Sequence, residues 1–416
     1  MAKKSPLAPA RFPDLPCVSG VRVGAFTSGI RHRRGRADLM LAELAPGTAV
    51  AGIFTRSTCA SAPVEWCRAC VKGGKIRALV VNSGNANAFT GKAGEASVGR
   101  TVDRAAKLFG CPKKQIFVAS TGVIGVPLPD RKITGALPKL AARGLSANGW
   151  EAAARAIMTT DTFPKGAARR ASIAGKTVII TGIAKGSGMI APDMATMLAF
   201  IFTDAAIPAK ALNAALSAAA EKSFNAITVD SDTSTSDTVL LCATGRGQRH
   251  KRVTGLSDRH WRDFRRKLEE VMVELAHQVV RDGEGASKFV TITVTGAAGA
   301  RAARRIGLAI ANSPLVKTAI AGADANWGRI VMAVGKSGEK AERERLGIRI
   351  GGVQITENGM VRPGYDEAPV AAHMKGRDID IEVDVGANGG RGRGRATVWT
   401  CDLTHGYIDI NASYRS

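Results

Sequence analysis

The stretch Lys185-Gly186-Ser187-Gly188-Met189-Ile190-Ala191-Pro192-Asp193-Met194-Ala195-Thr196-Met197-Leu198 sets a small, glycine-bearing loop before a threonine that opens an apolar run. A threonine whose preceding peptide bond is cut carries a free α-amine, with an ordinary pKa of about 7.7–8.0, beside its own hydroxyl. Nucleophile and base then come in one residue, and no histidine is needed. The glycines give such a loop room for the hydroxyl to attack its own upstream carbonyl. The same spacing fits a threonine that merely begins a buried strand, so the residues alone leave both readings open.

Several polar islands stand beside apolar runs. Asn82–Ala88 follows Leu79–Val81, Ser120-Thr121-Gly122 follows Phe117–Ala119, Thr159–Thr162 closes a helical stretch, and Asp230–Asp237 precedes Thr238–Leu241. Each by itself is turn and capping chemistry. Together they offer hydroxyls and backbone N–H groups at strand ends, the parts from which an oxyanion-stabilising site is made. Competing motifs fail. Gly335-Lys336-Ser337 imitates the end of a phosphate loop, but Ile330 stands where the leading glycine is required, and Gly182, Gly186 and Gly188 do not make a dinucleotide fingerprint. The histidines (His32, His250, His260, His277, His373, His405) are scattered, so no metal site is expected. Cys67 and Cys70 have no second pair at zinc spacing and read as a coincidence of two thiols.

The elements that must position these residues alternate in type. Strands are expected at Val21–Phe26, Ala49–Phe54, Ala78–Val81, Ile116–Ala119, Thr177–Gly182, Val239–Ala243 and Phe289–Thr295, from short β-branched runs between Gly, Ser and Asn turns. Helical spacing marks Ala93–Phe109, Asn148–Met158, Ala206–Ala226 and Ser257–Val280. Beyond about residue 300 the pattern is a helical Ser313–Gly322, a helix from Trp327, and strands at Leu346–Ile355, Ile379–Val385 and Ala396–Leu403. Gly386–Gly394 reads as an exposed hairpin connection. The fold class is mixed α/β (α+β), with a smaller α+β unit at the carboxyl end.

Composition narrows the function classes. A chain of 416 residues with 45% hydrophobic and 23% charged residues buries a sizeable core and is not disordered. Its formal charge of +24 attracts anions of every size. With aromatics at only 5% and no nucleic-acid-binding signature, that charge reads as solvated surface with some pull on an acidic substrate, and no nucleic-acid partner is expected. Seven irregularly spaced cysteines, an odd number, suit a reducing cytoplasm. The apolar run Ala195–Phe202 falls far short of the ~20 residues that span a bilayer, so no membrane segment is expected.

Lys185–Leu198 closely resembles the self-cleavage segment of the ornithine acetyltransferase family, the bifunctional glutamate N-acetyltransferases of arginine biosynthesis. Asn82–Gly91 (NSGNANAFTG), Ser120–Pro129 (STGVIGVPLP), Thr159–Lys165 (TTDTFPK), Asp230–Asp237 (DSDTSTSD), Ser313–Ala319 (SPLVKTA), Asn326–Ile330 (NWGRI) and Ile410–Ser416 (INASYRS) resemble the same family's signatures in the same order, over essentially the whole chain. The resemblance implies cleavage between Ala195 and Thr196 into an α segment (1–195) and a β segment (196–416) that stay associated, as a heterotetramer or larger assembly. It implies Thr196 as nucleophile, Thr121 and Gly122 as the oxyanion hole, and Thr162, Lys185, Thr196, Glu284, Asn411 and Ser416 around the substrate. It also implies an αββα-type layered core, about 1–297, and a smaller domain, about 298–416.

The implied reaction is ping-pong acetyl transfer from N-acetylornithine to glutamate, with no cofactor. Acetyl-CoA serves as a second donor in those family members that use it. In such a site Lys185 can neutralise a substrate carboxylate and Glu284 can receive a substrate ammonium. Apart from the resemblance, Glu284, between Gly283 and Gly285, reads as a solvated turn carboxylate. Two other classes stay open: a self-cleaving aminopeptidase or amidohydrolase that passes the acyl group to water, and a basic scaffold or nucleic-acid binder whose chain stays intact.

Overall fold

The computed structural model describes residues 3–31, 35–191 and 197–412. These fall into two compact units: Pro9–Asn225 with Asp232–Val279, and Ala226–Ser231 with Val280 onward and the residues before Pro9.

The first unit carries, in chain order, Val21–Phe26 (β1), Leu39–Leu44 (β2), Ala49–Phe54 (β3), Ala62–Val71 (α1), Ala78–Asn85 (β4), Gly91–Phe109 (α2), Ile116–Val123 (β5), Asp130–Arg143 (α3), Trp150–Ile157 (α4), Lys165–Ile173 (β6), Lys176–Lys185 (β7), Leu198–Thr203 (β8), Ala209–Glu221 (α5), Thr238–Ala243 (β9) and most of Arg262–Arg281 (α6). Its strands form two sheets, ordered β1-β2-β4-β5 and β3-β9-β8-β7-β6. In the first only β4 and β5 run parallel, and in the second only β8 and β9 do.

Side-chain alternation along the strands shows how the sheets are covered. Ile183, Leu198, Phe200, Phe202, Leu240 and Cys242 of the second sheet share one apolar core with Leu79, Val81, Phe117 and Ala119 of the first. The opposite face of the second sheet meets α6: a Cβ on Gly182 would lie 2.9 Å from Leu275 Cδ1 and 3.4 Å from Val271 Cγ1. Phe264, Leu268, Val271, Met272, Leu275, Ala276 and Val279, which fall on one face of α6, are fully buried. Helices α1 and α2 pack on β5, α3 reaches β1 and β2, and α5 packs on β3 and β9. Helix α4 touches strands of both sheets, and its Trp150 meets Phe202 with ring centroids 5.4 Å apart. The layering is αββα, as expected.

The second unit holds Phe289–Ala297 (β10), Ala300–Ala311 (α7), Pro314–Ala321 (α8), Trp327–Gly335 (α9), Gly347–Ile350 (β11), Val353–Glu357 (β12), Met360–Val361 (β13), Ala368–Met374 (α10), Asp378–Asp384 (β14), Gly394–Cys401 (β15) and His405–Asn411 (α11). Its sheet runs β13-β12-β11-β14-β10-β15. Two expectations are corrected here. The run Leu346–Ile355 is two strands, β11 and β12, because Gly351 and Gly352 (φ +59° and +79°) turn the chain between them. The glycine-arginine stretch before β15 is not a hairpin connection: β14 and β15 flank β10 on either side, so the segment crosses the end of that strand.

Candidate active site

The polar islands converge where strands of the first unit end. Parallel strands β4 and β5 run in register through Asn82↔Ser120, Ser83↔Thr121 and Gly84↔Gly122, and the ladder is interrupted at Asn85. The Ser120 hydroxyl donates to Asn82 Oδ1 (2.6 Å), the Asn82 amide donates to the Asn85 carbonyl (2.9 Å), and the Ser83 hydroxyl donates to the Ala156 carbonyl of α4 (2.6 Å). The islands are therefore knitted into the fold as turn chemistry requires, with Thr121 left among them. Gly122 has φ +131°, and a Cβ there would sit 2.6 Å from the Asn85 amide nitrogen and closer still to the Gly84 carbonyl carbon. Only glycine fits.

Opposite Thr121 stands Lys185, the last residue of β7, buried and donating from Nζ to Thr121 Oγ1 at 3.3 Å. In the antiparallel pairing of β7 with β8, Lys185 is the partner of Leu198. The chain thus leaves the second sheet after Lys185 and re-enters it at Leu198 directly alongside, with residues 186–197 between. The parts that the structure describes are tied down: Gly186 N–H donates to Asp161 Oδ1 (2.6 Å), the Thr160 and Ser187 hydroxyls share a 2.7 Å hydrogen bond, and Met197 N–H donates to Asp237 Oδ1 (2.8 Å). Ala195 and Thr196, like Ser416, lie outside the described residues.

Two carboxyl groups that sequence reasoning passed over govern the electrostatics. Asp161 and Lys165 form an ion pair of 2.7 Å with both side chains fully buried. Burial alone would push the Asp161 carboxyl up; the Lys165 and Lys185 ammonium groups and the Gly186 N–H outweigh it and hold the carboxyl well below the usual range. Asp237, just before β9, is fully buried too, and there burial prevails and pushes its carboxyl well above the usual range, against the Met197 N–H and Lys185. Burial and neighbours thus move the two buried acids in opposite directions. Thr162, half-buried, follows Asp161 in the loop between α4 and β6.

Glu284 and Asn411 belong to the second unit. Their side chains meet, Asn411 Nδ2 donating to Glu284 Oε2 at 2.8 Å and to the Tyr407 carbonyl at 3.0 Å. The turn carrying Glu284 is locked onto the start of α11: Thr404 Oγ1 donates to the Gly285 carbonyl (2.6 Å), and a Cβ on Gly285 would lie 2.6 Å from the Gly406 carbonyl carbon. Glu284 is therefore a half-buried turn carboxylate with a side-chain partner.

The cysteines are all free thiols. Cys67 and Cys70 face the core from α1, and the Cys67 thiol donates to the Val118 carbonyl at 3.1 Å. Among the described residues no group of three His, Cys, Asp or Glu is placed to hold a metal ion, and no helix is long and apolar enough to cross a membrane.

The sequence model of the ArgJ family matches residues 22–416. The chain is 56% identical to an arginine biosynthesis bifunctional protein ArgJ of Gluconobacter oxydans, over 100% of this chain and 97% of that protein. It is 57% identical to the one of Ruegeria pomeroyi, over 100% and 99%. Among solved structures, an arginine biosynthesis bifunctional protein argJ of Bacillus halodurans superposes with a TM-score of 0.50 at 41% identity, covering 53% of this chain and 100% of that one.

Proposed function

The chain belongs to the ArgJ family and is an acetyltransferase of arginine biosynthesis; on that premise we propose that it cuts itself between Ala195 and Thr196 and then moves acetyl from N-acetylornithine to glutamate through an ester on Thr196. In the first reaction the Thr196 hydroxyl attacks the Ala195 carbonyl, the peptide becomes an ester, and water releases the 1–195 segment. In the second, the same hydroxyl attacks the acetyl carbonyl, and its proton passes through the Thr196 amine to the departing ornithine nitrogen. The glutamate amine then takes the acetyl group from the threonine and gives a proton back along the same route.

What carries this reading is the Lys185–Thr121 contact. Lys185 ends the strand that enters the self-cleaving segment and pairs with Leu198, two residues past Thr196, while its ammonium donates to Thr121 Oγ1. A hydroxyl that accepts from an ammonium keeps its own proton to donate, which is what an oxyanion donor must do. Gly122 supplies a second donor in a conformation closed to other residues. Segment lengths agree as well: residues 196–416 are 221 of 416, and the Bacillus halodurans chain covers 53% of this one over its whole length. Thr162, Lys185 and Ser416 serve the substrate's polar groups, Glu284 receives the ornithine ammonium, and Asn411 orients Glu284. The two segments remain together as a heterotetramer or larger assembly in the cytoplasm; no cofactor takes part, and acetyl-CoA is at most a second acetyl donor.

Intact-mass measurement of the purified protein tests the reading. Two fragments divided at Ala195–Thr196, and labelled acetyl from N-acetylornithine on Thr196, are expected. A single uncut chain, or full acetyl transfer by Thr196→Ala, refutes it. Release of the label to water faster than to glutamate makes the enzyme an amidohydrolase instead.

A further inference from the structure

We infer that Asp237 is a positioning residue for the nucleophile: its carboxyl holds the Met197 amide and so fixes the peptide plane in which the Thr196 carbonyl lies. The inference rests on the reading of Thr196 just given. Met197 is held on both sides, its N–H donating to Asp237 Oδ1 (2.8 Å) and its carbonyl accepting from the Thr238 N–H (3.1 Å). Leu198 and Thr238 then open the parallel ladder of β8 with β9. Because the 196–197 peptide is planar, anchoring the Met197 N–H orients the Thr196 carbonyl and leaves the new terminus little besides its own torsions to place the hydroxyl.

The surroundings of Asp237 suit it to this task. The side chain is fully buried, and Oδ2 has no hydrogen-bond partner among the described residues, the neighbouring Thr55 hydroxyl being committed to the Ser234 carbonyl at 2.6 Å. An ionised carboxylate with one oxygen so placed is costly, and burial accordingly pushes this carboxyl well above the ordinary range. The protonated acid, which burial favours against the pull of the Lys185 ammonium, still accepts the Met197 N–H. It does so without placing a negative charge one residue from the Thr196 α-amine, where such a charge would hold the amine as ammonium and spoil it as a base.

The test compares Asp237→Asn, an isostere that is a neutral acceptor, with Asp237→Leu, which accepts nothing, in the full-length chain. Asp237→Asn is expected to melt with the wild type, to cut itself completely, and to acetylate Thr196 in a single turnover within about threefold of the wild-type rate with an unchanged pH profile. Asp237→Leu is expected to cut slowly and to acetylate roughly 10–100-fold more slowly at a nearly unchanged KM for N-acetylornithine, because the loss is one of orientation. A folded Asp237→Leu with wild-type rates overturns the inference. So does a folded Asp237→Asn that is as slow as Asp237→Leu or has a displaced pH profile. Should Asp237→Leu fail to fold, Asp237→Glu, whose carboxyl is displaced by one methylene, decides: a slowed turnover supports the anchor, and a wild-type rate removes it. A wild-type chain that is never cut brings down the Thr196 reading first, and the anchor with it.

Discussion

Replacing Asp161 separates a structural charge from a catalytic one. Its carboxylate, fully buried like the Lys165 side chain, accepts from Lys165 Nζ at 2.7 Å, from Gly186 N–H at 2.6 Å and from Thr159 N–H at 2.9 Å. Removing one partner of a buried ion pair costs about 3–5 kcal/mol, because the other charge stays in the interior. At roughly 2–4 °C per kcal/mol for a unit of this size, Asp161→Ala should lower the melting temperature by about 6–20 °C. Asp161→Asn keeps an acceptor for one of the two amides, which bond different carboxylate oxygens, and should fall between. The double variant Asp161→Asn with Lys165→Met removes both charges and should regain most of the loss, the non-additivity that marks a direct pair. The pH dependence has a definite sign: the folded-state carboxyl is depressed, so its contribution is complete above the unfolded value of about 3.9 and is lost as pH falls through the depressed folded value. The gap in melting temperature between wild type and Asp161→Asn should therefore stay constant from neutral pH to about 5 and close below about 4. Melting followed by circular dichroism reads all of this. An Asp161→Ala protein melting within about 2 °C of wild type, or a double variant no better than the singles, refutes the argument.

Thr121→Val, which keeps shape and removes the donor, should lower kcat for acetyl transfer to glutamate by roughly 10²–10³-fold with little change in melting temperature. Gly122→Ala should cost about 1–3 kcal/mol in thermal unfolding, since its Cβ meets the backbone of Gly84 and Asn85 at a φ that L-residues avoid, and should lose most transferase activity as well. Glu284→Gln should raise the KM for N-acetylornithine by about 10–100-fold and leave the second half-reaction with glutamate nearly unchanged, because a charge-assisted hydrogen bond worth roughly 1.5–3 kcal/mol is lost from the donor alone. Initial-rate kinetics with each substrate varied separates these cases.

Much of the fold is legible in local pattern. The β-branched runs at Val21, Ile116, Val239 and Phe289 become strands as their alternation requires, and α2 ends at Gly110 with φ +57°, the left-handed cap that a terminal glycine permits. The misses follow composition. Leu39–Leu44 (LMLAEL) and Lys165–Ile173 (KGAARRASI) are rich in Leu, Ala, Lys and Arg, residues with helical preference, yet both are strands. β2 is an inner strand between β1 and β4, and β6 pairs along its whole length with β7. Tertiary pairing overrides propensity there.

The hydroxyl half of the site was visible for a reason that the carboxyl half lacks. Ser, Thr, Asn and Gly carry their meaning locally: they satisfy backbone at the end of the strand on which they sit, so islands after apolar runs mark strand ends wherever the sheets go. Asp161 and Asp237 carry theirs through burial and neighbours. Asp161 looks like a loop aspartate until β6 and β7 bring Lys165 and the Gly186 N–H to it, and Asp237 ends a polar run that reads as solvated until β8 is laid against β9. Lys165 stands only four residues after Asp161, but nothing local says that the two side chains are buried together, or that burial prevails at Asp237 and not at Asp161. That difference comes from Lys165, which pairs with Asp161, while Lys185 acts on both carboxyls.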